Sequence, residues 1–361
     1  MYKIELSNEI EQKHLNYFKN KIVPNFDNNK IDFSNLTRKE IIRVFGKSLS
    51  DNKSDAIKLI EDQHLKFMSY CKTEYANLAI GKPKVLREFI KNTETNYGLI
   101  FGMLQKGLCL KTGKKKSDSY NDKLLKIFGY STFGSTYNYN PNDTKNWSAY
   151  HFVFMSNVRV CPYCNRQYIT PIYSKDGKVR ADLDHFYPKS KYPYLSMSIY
   201  NLVPSCKFCN SSLKGKKEFA FEDINPYESS YDDYFKFYID AIDFGIQIDK
   251  TSDVNNTTSN YLNMFKIEKL YDYHSNQAKE LLEKRNIYSD TYITSLFKEN
   301  RELFDSEDEV RQLIIGYVQD RSKINNEAFL KLRRDIAEQL GFIKSKQDQT
   351  DIEKLKVILN K

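Results

Sequence analysis

Apolar residues recur every three or four positions through the first hundred residues of the chain. In NLTRKEIIRVF (35–45) and KSDAIKLIEDQHLKFMSYCKTEYANLAI (53–80) that spacing predicts helices with a single buried face. The polar, basic run from Lys111 to Asp122, KTGKKKSDSYND, breaks the pattern and reads as a loop. GYSTFGSTYNYNPND (129–143) reads as an irregular linker ahead of WSAYHFVFMSNVRV (147–160), whose tryptophan, Trp147, reads as a packing anchor. From Val158 the helical period gives way to short extended runs punctuated by cysteines. Beyond Asn225, YFKFYIDAI (234–242) and FGIQIDK (244–250) alternate apolar and polar residues and predict a strand pair.

The segment FKIEKLYDYHSNQAKELLEKRNIY (265–288) places Ile267, Leu270, Tyr271, His274, Ala278, Leu281 and Leu282 on one side of a helix, with His274 read as a packed or half-buried histidine. Ser306 followed by Glu309 matches a capping box that opens another helix. No internal repeat interrupts the series. The expected organisation is a mainly helical region over 1–150, a cysteine-bearing central region over 151–225, and a strand pair followed by helices over 226–361.

Composition bounds the class. With 361 residues, 40% hydrophobic and 29% charged, the chain is long enough for more than one lobe and too apolar for a disordered polymer. The opening MYKIELSNEIEQKH carries acids and no apolar run, and no stretch approaches the roughly 18 apolar residues of a membrane span, so a cytoplasmic protein without membrane contact is expected. The net charge of +9 is unevenly spread: residues 226–361 hold 20 Lys and Arg against 25 Asp and Glu, leaving 36 against 22 in the first 225. A basic front part suits a polyanionic partner such as nucleic acid, and equally a solvated lysine-rich surface.

Four of the six cysteines form two Cys-x-x-Cys pairs, Cys161 with Cys164 and Cys206 with Cys209. Two such knuckles are the usual route by which four thiolates reach one tetrahedral zinc; a redox pair is the competing reading. Four sulfur ligands leave no open position, so such a zinc is structural. Cys71 and Cys109 read as ordinary buried thiols. Between the knuckles lie Asp184 and His185 in ADLDHF and Asn201 in YNLVP, and Asn210 follows the last cysteine. An imidazole near neutrality can take a proton from water, and oxygen ligands suit a hard divalent ion. Asp182, two positions before Asp184 on the same face of a strand, is a rival ligand, and a site shared by Asp184 and His185 requires a strand end or a bulge. Lys207, Lys214, Lys216 and Lys217 follow with no acid between them and are placed to grip a phosphate backbone.

CPYC at 161–164, DLDHFYPKS at 182–190, YNLVPSC at 200–206 and CKFCNSSLKGKK at 206–217 together resemble an HNH endonuclease domain, over roughly a fifth of the chain. The resemblance implies an α+β fold in which a ββα-metal core with structural zinc, within 151–225, sits between mainly helical lobes. It implies an endonuclease, a hydrolase of phosphodiester bonds acting on DNA ahead of RNA. His185 would be the general base, Asp184 and Asn210 the ligands of a catalytic Mg²⁺ or Mn²⁺, and Asn201 the brace that orients the histidine. The wider layout resembles nuclease subunits encoded beside ATPases in prokaryotic anti-phage systems such as Septu, which implies an ATPase partner and a defence role. A stand-alone restriction-like or mobile-element nuclease would share the same site. A non-catalytic zinc-ribbon binding module would need the cysteines but not the Asp-His pair or the two asparagines.

Overall fold

The computed structural model describes residues 2–28, 30–46, 52–110, 119–135, 147–221, 223–240, 243–316 and 320–343. Among these, helices dominate and strands occur as three antiparallel pairs: β1 (Ile172–Tyr173) with β2 (Lys178–Val179), β3 (Asp182–His185) with β4 (Leu202–Ser205), and β5 (Phe235–Ile239) with β6 (Ile246–Lys250). This is an α+β arrangement.

The amino-terminal helices form where the sequence gives them a cap and a stripe. Thr37 Oγ1 accepts from Glu40 N to open Arg38–Phe45, and Ser7 accepts from Ile10 N to open Asn8–Tyr17. Lys53–Thr73 buries Ala56, Ile60, His64, Phe67, Met68 and Cys71 along one face. The expected long helix breaks at Glu74, and a separate Tyr75–Ile80 follows. Cys71 is buried as expected, whereas Cys109 is exposed. Residues 111–118 of the expected loop lie outside the described residues, and Ser119 beyond them caps the helix Tyr120–Ile127. Of the expected linker, 136–143 also lies outside them; its first part is the short helix Tyr130–Ser135, because Phe133 is buried beside His14, with ring centroids 5.7 Å apart. Gly129, at φ +68, turns the chain between Tyr120–Ile127 and this helix.

The expected strand pair is present, with Phe235 opposite Lys250 and Ile239 opposite Ile246, and with Phe235, Phe237 and Ile239 turned inward. Its inner face meets the helix Leu330–Gln339. There Lys331, Asp232, Asp335 and Arg334 form a buried ion network in which Lys331 Nζ lies 2.8 Å from both Asp232 Oδ1 and Asp335 Oδ2. The stretch 265–288 is not one helix. Lys266 adopts left-handed backbone (φ 51), after which Ile267–Tyr271 and Ser275–Ile287 are separate helices joined by a 3₁₀ turn. His274 at that turn is half-buried, and its Nε2 accepts from Arg166 Nε at 3.0 Å. The Ser306 cap forms, with Ser306 Oγ accepting from Glu309 N, but the returning arm of the expected capping box lands one residue earlier, where Glu309 Oε2 accepts from Asp305 N.

Long-range bonds tie the chain's regions together. Tyr2 N donates to Asn325 Oδ1 and Asn325 Nδ2 donates to Tyr2 O, while Ile4 N donates to Pro226 O. Arg87 grips Glu228 with two bonds of 2.7 Å. Asn165, directly after the first knuckle and left-handed (φ 50), donates through Nδ2 to Ile324 O and accepts Lys331 N. These bonds fasten the chain's first residues and the first knuckle to the 324–331 stretch. No helix among the described residues is long and apolar enough to cross a membrane.

Candidate active site and cysteine cluster

Each knuckle is shaped by its own backbone. Cys161 N bonds Gln167 O and Asn165 N bonds Cys161 O, curling the first pair. Asn210 N bonds Cys206 O, and Cys209 N points at Cys206 Sγ from 3.4 Å, curling the second. The two turns bring all four buried sulfurs within 4.8 Å of one another, with Cys164 Sγ and Cys206 Sγ 3.9 Å apart. That separation is far beyond a disulfide bond, about 2.05 Å. The cluster can hold a metal ion such as zinc.

The β3–β4 register sets the rest: Asp182 faces Ser205, Asp184 faces Val203, and His185 faces Leu202. His185 is the last residue of β3, which meets the strand-end condition for sharing a site with Asp184. The loop from 186 to 201 is closed by Asn201, which is fully buried. Its Oδ1 accepts Tyr187 N at 2.7 Å, and its Nδ2 donates to Tyr187 O and Leu195 O at 3.0 Å each. Asn121 reaches the same loop from Tyr120–Ile127 and donates to Ser190 O.

His185 Nε2 lies 3.1 Å from Ser196 O and donates to it, so that Nδ1 carries the lone pair; Nδ1 has no partner among the described residues. The ring meets Tyr130 edge-on at 4.6 Å, and Lys189 Nζ sits 4.4 Å from the Tyr130 ring centre on the same wall. Burial, reinforced by the nearby positive charges of Lys189 and Lys214 and opposed by the Ser196 bond, pulls the His185 pKa down to about 3. The imidazole is therefore neutral at ordinary pH.

Helix Phe208–Lys214, which follows β4, is wound as a wide π turn, with Gly215 N bonding Asn210 O at 2.9 Å. It carries Asn210, whose Nδ2 lies 3.1 Å from Asp182 Oδ2, and Lys214, whose Nζ lies 2.6 and 2.8 Å from the two Asp184 oxygens and 2.7 Å from His185 O. Tyr163 OH donates to Asp184 Oδ2 at 2.8 Å. Asp184 and Lys214 are both buried, at 4% and 3% exposure. So the asparagine after the last cysteine meets Asp182, the rival acid, rather than Asp184. Lys214, expected as a surface grip for phosphate, is instead the buried counterion of Asp184.

Asp182, Asp184, His185 and Asn210 share one open cleft of about 720 Å³, with Tyr130 and Lys189 at one side and Lys216 and Lys217 at another. Lys216 and Lys217 are exposed. Lys207 is exposed too, but does not line the cleft, and neither does the buried Asn201. Sequence reasoning missed Tyr130, which sits in a segment read as irregular, and Lys189, although it lies inside the quoted DLDHFYPKS.

Comparison with known proteins adds little to this geometry. No family model matches the chain, and no solved structure matches it. Over 76 residues, 21% of its length, the chain is 33% identical to protein ea31 of Escherichia phage lambda. It spans about a fifth (22%) of that phage protein's length.

Proposed function

We propose that this chain is a metal-dependent endonuclease built on an HNH core, hydrolysing phosphodiester bonds of nucleic acid, DNA ahead of RNA. The observation that carries this reading is the convergence of His185, Asp182 and Asn210 on one cleft flanked by Lys216 and Lys217, with His185 Nε2 already committed to the Ser196 carbonyl. A neutral histidine held in this way offers Nδ1 as a proton acceptor. Nδ1 takes a proton from water, the water oxygen attacks phosphorus in line, and the bond from phosphorus to the 3′ oxygen breaks. The leaving oxygen takes up a proton, so the ends are a 5′ phosphate and a 3′ hydroxyl. Lys216 and Lys217 neutralise flanking phosphates.

Zinc is the ion that suits the cysteine cluster. Zn–S bonds of about 2.3 Å make a tetrahedron with edges near 3.8 Å, against the 3.9 Å between Cys164 and Cys206 sulfurs. Cys161, Cys164, Cys206 and Cys209 would hold it through four thiolates, leaving no position for chemistry, so its contribution would be structural. Asp182 and Asn210 offer a carboxylate and an amide oxygen, the small oxygen set that Mg²⁺ or Mn²⁺ accepts alongside waters and a substrate phosphate. Asp182 thus takes the part that the family resemblance gives to Asp184, whose oxygens are committed to Lys214. Bound there, the ion would polarise the scissile phosphate and offset charge on the leaving oxygen. The acidic balance of residues 226–361 suits a protein-facing role, with an ATPase as the partner of a defence nuclease.

The test is incubation with plasmid, single-stranded DNA and transfer RNA in Mg²⁺ or Mn²⁺, comparing wild type with His185→Ala. Loss of a positioned general base lowers the rate by about 10²–10⁴, with zinc content and thermal stability retained. Full activity in His185→Ala overturns the reading.

A further inference from the structure

Three consecutive peptide carbonyls in the loop between β3 and β4 are each held by a side chain. Leu195 O accepts from Asn201 Nδ2 at 3.0 Å, Ser196 O from His185 Nε2 at 3.1 Å, and Met197 O from His14 Nε2 at 2.7 Å. Leu195 O also receives a backbone donor, Ser198 N, but the other two carbonyls receive none among the described residues. Their hydrogen bonds come from the two histidines. A buried carbonyl left without a donor costs about 1–3 kcal/mol, so each histidine fixes the direction of one peptide.

His14 belongs to the helix Asn8–Tyr17, far from the loop in sequence, and is fully buried. Its protonation pattern is set by its second neighbour. Trp147 Nε1 lies 2.9 Å from His14 Nδ1, and an indole nitrogen can only donate. Nδ1 is therefore the acceptor and Nε2 carries the hydrogen that reaches Met197 O. Phe133 meets the His14 ring edge-on and closes the pocket. A leucine or phenylalanine would fill this volume without the cost of burying two ring nitrogens. What the histidine adds is a directed bond to the peptide next to the one that holds His185.

We infer that His14 is a positioning residue for His185, acting through the Met197 carbonyl on the neighbouring Ser196 carbonyl and so on the orientation of the catalytic imidazole. This rests on the reading of His185 as general base. Trp147 supports His14 by holding its tautomer, which gives the chain's single tryptophan a role beyond packing. The amino-terminal helices thereby become part of the catalytic apparatus.

The experiment compares wild type with His14→Phe and His14→Gln in the full, zinc-loaded chain. A glutamine can accept from Trp147 with its carbonyl and donate to Met197 O with its amide; a phenylalanine can do neither. Long-range ¹⁵N spectra of the imidazoles, with the His185 signal assigned by its loss in His185→Ala, report the tautomer independently of cleavage. His14→Phe is expected to mix the His185 tautomers and lower kcat by about 10²-fold, with the affinity for uncleaved DNA in the absence of divalent ion unchanged. His14→Gln is expected to restore both. If His14→Phe fails to fold, Trp147→Phe, which removes the donor to Nδ1, is read in its place and is expected to shift the same signals. An unchanged His185 tautomer and unchanged kcat in the folded variant overturn the inference. A shifted tautomer in a chain that cleaves nothing supports the positioning and overturns the nuclease reading instead.

Discussion

Replacing Lys214 by methionine is the sharpest test of how the site is built. Its ammonium group contacts both Asp184 oxygens and the His185 carbonyl, and both side chains are almost entirely shielded from water. The substitution leaves a buried carboxylate with Tyr163 OH as its remaining donor, and a strand carbonyl short of a partner. Removing one member of such a pair costs about 3–5 kcal/mol, far outside the roughly ±0.5 kcal/mol of a surface lysine. In urea unfolding followed by circular dichroism, the midpoint should fall at constant slope. Adding Asp184→Asn should recover much of the loss, because the double variant no longer buries a lone charge, giving a coupling energy of about 2 kcal/mol or more. A single variant within 0.5 kcal/mol of wild type, on the order of surface changes, or strictly additive effects would refute the buried pair. Recovery of Lys214→Met by Mg²⁺ alone would move the catalytic ion to Asp184.

Three further outcomes are expected. Cys206→Ser should purify without stoichiometric zinc by elemental analysis and with a clearly lower melting temperature, since structural zinc sites contribute folding free energy directly; an unchanged melting temperature in a zinc-free sample removes the structural metal. Acid should weaken the fold through His14, whose burial lowers its pKa from 6.5 to about 4. The unfolded chain binds that proton first, so stability is full above pH 6.5 and falls by about 3 kcal/mol as pH drops toward 4. Urea titrations at pH ~7 and ~4.5 should show a smaller drop in His14→Gln than in wild type, and equal drops would contradict this. Lys216→Ala and Lys217→Ala should each reduce the slope of log affinity against log salt by about 0.7–0.9, whereas Lys207→Ala, outside the cleft, should leave it unchanged; the reverse order in anisotropy titrations would place the nucleic acid on another face.

Much of the architecture was readable from the chain because it depends on local spacing. The Cys-x-x-Cys pairs converge since a knuckle is encoded in four residues, and the Phe235–Ile239 strand is visible because alternation records burial directly. Asn201 could be picked out as a loop brace and is buried against both ends of its loop. What escaped depends on encounters that leave no period. Tyr130 reaches His185 from a Gly-, Ser- and Asn-rich segment whose composition resembles a linker, although Phe133 supplies the burial that winds it into a helix. Lys214 looked like one of a surface run, and only the wide turn at Phe208–Lys214 carries it inward to Asp184. That same turn carries Asn210 to Asp182, a choice between two acids that strand alternation alone cannot make. The break at Lys266 lies in a residue with no intrinsic preference for left-handed backbone, so periodicity runs straight through it.

The reciprocal bonds between Tyr2 and Asn325 have a consequence in time. At about 5–20 residues per second, a ribosome finishes residue 325 some 16–65 s after residue 2. Asn165, beside the first knuckle, waits in the same way for Ile324 and Lys331. Contacts of such long sequence separation form late in folding. A nascent chain that already carries His185, Asp182 and Asn210 therefore still lacks the clasp from residues 324–331 that steadies the first knuckle. On the proposed nuclease reading, such a delay would keep the half-made protein harmless to the polysome that is making it.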